Sequence, residues 1–394
     1  MPLENKALDS LQISDIDSLV ENKVAEKKTI DYKAALVVNT ESQRKEFLAD
    51  VSSFANASGG HLIYGVRETK GVPTEICGID IENPDQEILR LDSIARDGIE
   101  PRMPGLAMRA IPSKTRQVLV IRVPKSWASP HMVTFQHHSR FYSRSSNGKY
   151  PLDVGEIRAA FLASGALAER IRGFRIERLA AIVARETPVP LGDGAKLVLH
   201  IVPIRAFDSA SMLSTSSLEA QMQHLPPIAR AADGSRYNLD GFVTFDRGST
   251  GSPADSYIQL FRNGCIEAVD MYLLRQRSAG QHTIPSMAFE EYLLKALRGY
   301  LVAQKSLGIE PPLFVMLSLL HVKGYEMGVD PSKFFLSEHS LPVDRENLIL
   351  PEIVVDEYGV EPATLLRPAF DAVWNACGWP QSINYDKSGK WVGH

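Results

Sequence analysis

The chain has 394 residues, enough for two or three domains at a usual size of about 150 residues each. Its 44% hydrophobic and 23% charged content suits an ordinary folded protein, and no apolar run approaches the roughly 20 residues that span a bilayer. The net charge of −4 excludes wholesale coating of nucleic acid, while a local basic face stays open.

Cys77, Cys265 and Cys377 are scattered and give neither a disulfide framework nor a metal-ligand spacing. The opening MPLENKALDSLQ lacks the basic and apolar regions of a signal peptide, so a reducing cytoplasm is the expected home. Residues 1–22 read as a short helical lead-in with Ser14 or Asp15 as cap and Ile16, Leu19 and Val20 as its stripe.

From Glu26 to Glu68 the pattern is strand (AEKKTIDYK), helix (SQRKEFLADVSSFANAS), double glycine and strand (GGHLIYGVRE). Thr40 or Ser42 caps the helix, and Gly59 suits the left-handed turn that ends it. Phe47, Val51, Phe54 and Ala55 form its apolar stripe, and Leu62, Tyr64 and Val66 are expected on one strand face.

Further along, 84–97 is a helix opened by Pro84, and strands follow near 105–111 and 117–123. Arg140–Arg144 is a short strand, with Arg140, Tyr142 and Arg144 on one side and Phe141 on the other. Helices are expected from Asp153 to Ala163 and, rich in arginine, over 164–186. TPVPLGDGAK is the best boundary. Beyond it KLVLHIVPI reads as a buried strand, and Asn263-Gly264 is a strong hairpin signal. Residues 288–305 and 361–377 read as helices, with LFVMLSLLHV as a strand or buried segment between them.

Three carboxylates, Glu26, Asp31 and Glu68, flank the strand–helix–strand unit, with Lys33 two residues after Asp31. Acidic groups that converge repel one another unless a cation lies between them, and Mg²⁺ or Mn²⁺ with hard oxygen ligands is the usual answer. Such an ion activates water and stabilises phosphodiester charge, with the lysine as electrostatic helper. Glu26 and Asp31 are five apart and face opposite ways on one regular strand. They meet only if Glu26 precedes the strand.

The pattern E-x4-D-Y-K, then F-A-N-A-S-G-G-H-L-I-Y-G-V-R-E, resembles the AlbA-like domain shared by bacterial proteins and the Schlafen family. I-E-P-R-M, QVLVIRVPKS and RFYSRSSNGKYPLDVGEIRAAF look like its remaining blocks, so the resemblance covers roughly residues 15–165. It implies nucleic-acid binding and, more sharply, a divalent-metal-dependent endoribonuclease acting on structured RNA such as tRNA. Glu26 then matches the first glutamate of the Schlafen nuclease site, Asp31 replaces the second, and Glu68 stands where an aspartate is expected. The resemblance further implies a homodimer. The other class of reading is a non-catalytic DNA- or RNA-binding regulator, or a defence-system subunit with a partner protein.

Arg140, Tyr142 and Arg144, with Lys149 and Lys125, are the expected phosphate and base contacts, since arginine grips phosphate through paired hydrogen bonds and tyrosine stacks on unpaired bases. His131, His137 and His138 lack a cysteine or acidic partner at zinc-site spacing. Ser143, Ser145 and Ser146 have no nucleophile-elbow context, and no P-loop is present. The expected architecture is α+β: a Schlafen/AlbA-like domain over 1–165, an arginine-rich connecting helix and linker over 166–188, and a second mixed α/β domain over 189–394 for sensing, dimerisation or partner binding. RNA is favoured over DNA.

Overall fold

The computed structural model describes residues 3–393 apart from 4–5, 7, 104, 127, 137, 208–211, 247–252, 277–281 and 330–339. The chain divides into two units, Met1–Arg170 and Ile171–His394. Helix makes up 34% and strand 29%, a mixed α+β protein.

In unit 1, helix α1 (Ile13–Glu21) leads into β1 (Ile30–Lys33), α2 (Glu41–Asn56) and β2 (Gly60–Tyr64). The α1 cap is Gln12, whose N–H donates to Asp15 Oδ2 at 2.9 Å, so Asp15 serves three positions inside the cap. For α2 the cap is Thr40, whose Oγ1 accepts from Gln43 N while Gln43 Oε1 accepts from Thr40 N. Gly59 ends α2 at φ +70, where its N–H donates to Phe54 O and a Cβ would lie 2.6 Å from Lys125 N.

Next come β3 (Val66–Thr69), β4 (Val72–Ile76), α3 (Pro84–Gly98), β5 (Ile99–Glu100), β6 (Ala107–Ser113) and β7 (Arg116–Val123). They are followed by β8 (Met132–Phe135), β9 (His138–Ser145), β10 (Gly148–Pro151) and α4 (Val154–Val183). One sheet has the order β1-β2-β7-β6, with β1 parallel to β2, and a second runs β10-β9-β8-β5.

The first sheet is apolar on both faces. Leu62, Tyr64, Leu119 and Ile121 pack with Phe47, Val51 and Phe54 of α2, while Ile30, Tyr32, Ile63 and Val120 pack with Leu11, Ile16 and Leu19. Val66 belongs to this second cluster and does not share a face with Leu62 and Tyr64. Gly65, at φ +93, breaks the strand and resets the alternation. The two helices expected over 153–186 are one. Asp153 Oδ1 accepts from Glu156 N at 2.8 Å to cap it, and Gly165 is tolerated within it.

Unit 2 contains β11 (Lys196–Pro203), α5 (Thr215–Glu219), β12 (Gly234–Tyr237), β13 (Gly241–Phe245), β14 (Ser256–Phe261) and β15 (Ile266–Asp270). It continues through β16 (Thr283–Pro285), α6 (Ser286–Ser306), β17 (Leu313–Leu320), β18 (Glu326–Gly328), β19 (Asn347–Ile349), β20 (Ile353–Val355) and α7 (Pro362–Ala376). The main sheet runs β12-β13-β14-β15-β11-β17-β19, with β20 also on β17. Asn263-Gly264 makes the β14–β15 hairpin, Gly264 adopting φ +89.

From Ile171 onward α4 packs on this sheet through Leu179 and Ile182, which is why the division falls inside the helix rather than at the TPVPLGDGAK segment. Buried Glu267 of β15 fixes the helix. It accepts from Arg178 Nε at 2.9 Å and Nη2 at 3.0 Å and from Tyr257 OH at 2.8 Å, and meets His200 Nε2 at 3.1 Å. Burial pushes its pKa up, but the His200 and Arg178 hydrogen bonds win and hold it down to about 2.

Candidate functional site

The site sits where β1 passes beneath α2 and β9. Glu26 lies before β1, in a turn held by its own N–H to Gly71 O at 2.6 Å, and so escapes the strand alternation that would have separated it from Asp31. Its Oε1 accepts from Tyr32 N at 2.8 Å. Burial raises the Glu26 pKa, and the neighbouring Asp31 and Glu68 carboxylates raise it further. The three acids therefore lie within electrostatic reach of one another.

Asp31 is 5% exposed. Arg144 Nη2 donates to its Oδ2, and Lys33 Nζ stands 3.2 Å from its Oδ1. Burial pushes this carboxyl up, yet the Arg144 and Lys33 charges prevail and hold it below its ordinary value. Lys33 in turn loses charge stability through burial but is held above its ordinary pKa by Asp50 and Asp31.

Asp50 and Glu46 of α2 complete the network and were not singled out from the sequence. Asp50 is 2% exposed, lies 3.7 Å from Arg144 Nη1, and accepts from Lys149 Nζ at 2.8 Å. Burial raises its pKa against the pull of Lys149 and Lys33. Glu46 takes a second hydrogen bond from Lys149. The available signal was position: Asp50 stands three residues after Phe47 and four before Phe54, a charge on the apolar stripe. Asn56 is the last residue of α2. Its side chain takes His131 N at 2.6 Å and donates to His131 O and Tyr142 O, sewing α2 to β8 and β9.

The basic–aromatic stripe is thus turned inward. Strand alternation does place Tyr142 and Arg144 on one side of β9, but that side is covered by α2. Arg144 is 5% exposed, with its guanidinium 4.1 Å from the Phe54 ring centroid. Tyr142 packs at the core edge and meets His138 Nε2 at 2.9 Å. As placed, Arg144 and Lys149 hold carboxylates rather than phosphate, whereas Arg140 and Lys125 are exposed. His131 is buried with Nδ1 2.7 Å from Pro101 O, and His137 lies outside the described residues.

Among the described residues no group of three His, Cys, Asp or Glu side chains is arranged to hold a metal ion. The reason is visible in the donors. Asp31 faces Arg144 and Lys33, Glu26 turns to Tyr32 N, and Glu68 Oε2 accepts from Gly71 N at 2.5 Å within its own turn. In this arrangement the oxygens do not fit Mg²⁺ or Mn²⁺, because cationic side chains fill the ion's role.

Beside the cluster runs a groove of about 850 Å³. Ala34 and Ala35, which follow Lys33, line it, as do Arg67, Arg90 and Arg116 together with Asn39, Asn83 and Gln86. Asp80, Glu82 and Glu87 balance its charge. Two of its ion pairs, Arg67–Glu75 and Arg116–Asp80, are exposed on both sides.

Residues 26–153 match the family model Schlafen, AlbA_2. Unit 1 carries a Schlafen AlbA_2 domain. The AlbA_2 match supports a nucleic-acid-related function for the chain. Among solved structures, the chain is similar to the DIP2311 protein from Corynebacterium diphtheriae, at 17% identity over 36% of this chain and 26% of that one, TM-score 0.25. It thus spans about a quarter of that protein's length. It is also similar to the N-terminal domain of a RecG-related protein from Nitrosomonas europaea, at 25% identity over 29% of this chain and 74% of that one, TM-score 0.23. No curated protein matches. Among the described residues no helix is long and apolar enough to cross a membrane.

Proposed function

We propose that the AlbA_2 domain binds nucleic acid, RNA in preference to DNA, along the groove of Arg67, Arg90 and Arg116, with the chain working as a homodimer. The observation that carries this is the groove itself: guanidinium groups on exchangeable pairs, next to a carboxylate–lysine cluster. An exposed ion pair is worth about 0–1 kcal/mol, so a phosphate displaces Glu75 or Asp80 at little cost. Arginine then meets the phosphate through two parallel hydrogen bonds, and the amides of Asn39, Asn83 and Gln86 offer further donors. Unit 2 serves as sensor or partner surface.

A second reading, endoribonuclease activity on structured RNA such as tRNA, is favoured by one separate observation. Glu26, whose pKa burial and the neighbouring Asp31 charge raise, stands near Asp31, which Lys33 Nζ approaches at 3.2 Å, so a carboxyl of raised proton affinity lies near an ammonium. Glu26 can hold a proton and Lys33 can steady a phosphate oxygen. Dependence on Mg²⁺ or Mn²⁺ requires Asp31 to exchange its partners.

Anisotropy titrations of labelled tRNA and DNA of matched length against salt test the binding. The double substitution Arg67→Glu, Arg116→Glu is expected to weaken RNA binding about tenfold or more and to flatten the salt slope by roughly 1.5 to 2 units. An unchanged slope removes the groove from the reading. Incubation of tRNA with Mn²⁺, wild type against Asp31→Asn, tests the second reading. Binding without cleavage leaves a non-catalytic regulator.

A further inference from the structure

Lys196 opens β11 beside the end of β17, where it pairs with Leu320, and His321 follows directly. It is 8% exposed, and its Nζ donates to Gly194 O at 3.0 Å. An ammonium has three donors, and among the described residues this one meets no carboxylate in an ion pair. Burial lowers its pKa, with Asp193 pulling it up and Arg185 pushing it down. The end of α4 does not take the remaining donors, since the Ala180, Ala181 and Ile182 carbonyls accept from Ala184, Glu186 and Arg185 N. A buried cation is costly unless an anion offsets it, and among the described residues the chain supplies none.

Lys196 lines a cavity of about 300 Å³ together with Arg185, Thr187, Asp193 and His321. Gly192, Asp193, Gly194 and His321 also line a second cavity of about 510 Å³, whose wall carries Asp255, Met271, Arg275, Lys323 and Tyr325. Both belong to unit 2, and their volumes suit a small molecule. Charge decides its class. Arg185 pairs with Asp193 at 2.6 Å and Arg275 pairs with Asp255, whereas Lys196 and Lys323 make no ion pair among the described residues. Asp344, which Lys323 influences through space, is held by Arg345 at 3.0 Å. Two positive charges are thus left over. A phosphate monoester, at about −1.5 to −2 near pH 7, matches them, and a single carboxylate does not.

We propose that unit 2 binds a small phosphate monoester, its phosphate on Lys196 and its remainder in the adjoining cavity beside Tyr325. The two remaining ammonium donors of Lys196 make charge-assisted hydrogen bonds to the phosphate. Arg185 joins at little cost, because its pair with Asp193 is exposed on both sides. Tyr325, whose hydroxyl donates to Leu274 O at 3.0 Å, and His282, whose ring centre lies 5.0 Å from it, give the larger cavity an aromatic wall. The site stands apart from the nucleic-acid groove of unit 1.

Calorimetric titration of the full-length chain at fixed ionic strength tests this, with inorganic phosphate, ribose 5-phosphate and AMP as probes and adenosine as the control. Ribose 5-phosphate or AMP is expected to bind, more tightly than inorganic phosphate, and adenosine is not. Lys196→Met should weaken that binding at least tenfold, yet melt no lower than the wild type in phosphate-free buffer, because methionine removes a buried charge that no carboxylate offsets. Arg67→Glu, Arg116→Glu should bind the probe as the wild type does, which separates this site from the groove. The proposal is overturned by heat from neither ester, by adenosine binding as well as AMP, or by equal binding in Lys196→Met. It is equally overturned if the groove variant loses the binding, or if Lys196→Met melts clearly lower, since the charge would then already serve the fold.

Discussion

Replacing Arg144 with methionine separates a buried structural cation from a surface phosphate contact. Its guanidinium is 5% exposed, pairs with Asp31, lies 3.7 Å from Asp50 and covers the Phe54 ring. Removing one partner of a buried ion pair costs about 3–5 kcal/mol, because the other charge stays desolvated. Lys33 at 3.2 Å and Lys149 at 2.8 Å remain beside Asp31 and Asp50, which places the loss at the low end, about 3 kcal/mol. Methionine keeps most of the contact with Phe54, so the stacking loss adds at most about 1 kcal/mol. At roughly 2–4 °C per kcal/mol for a unit of this size, unit 1 should melt about 6–12 °C lower. Urea unfolding followed by circular dichroism gives the free energy directly. A loss below about 1 kcal/mol, accompanied by weaker RNA binding, would refute the inward placement of Arg144.

Two further outcomes are expected. In unit 2 burial pushes Asp270 up to about 7, with the Asp246 and Asp255 charges adding to it. Its folded pKa lies above the unfolded value near 3.8, so the carboxyl favours folding at low pH and that contribution is lost as pH rises from about 4 to about 7. At about 1.4 kcal/mol per pH unit the loss approaches 4 kcal/mol, and Asp270→Asn should flatten this part of a stability-against-pH curve. An unflattened curve refutes the assignment. Gly59→Ala forces a side chain into φ +70 with its Cβ 2.6 Å from Lys125 N, and should destabilise unit 1 by more than about 1 kcal/mol in urea. A neutral result would mean that the α2 end relaxes.

The parts of the fold legible in the sequence were those written in local chemistry. Thr40 or Ser42 was the right neighbourhood for the α2 cap, Gly59 the right stop, and Asn263-Gly264 the right hairpin. The same rules failed at Gly65, where one glycine resets the alternation and sends Val66 to the opposite face. Convergence of Glu26 with Asp31 was legible as a condition, that Glu26 precede the strand, and the turn at Gly71 meets it. Which face of β9 looks inward was not legible, because alternation pairs Tyr142 with Arg144 but does not say that α2 covers them. Asp50 was hidden for the complementary reason: on a helix buried from Phe47 to Ala55, a carboxylate reads as a flaw in the stripe until its cations, nearly a hundred residues away, are in place.

Glu267 gathers its donors from three other segments, Arg178 from α4, His200 from β11 and Tyr257 from β14, around a carboxylate with no access to water. None of those segments can come loose alone without stranding the acid among apolar neighbours. Local fraying is thereby suppressed. The slowest-exchanging amides of unit 2 should cluster on these strands and disappear together, at the free energy of the whole unit's opening.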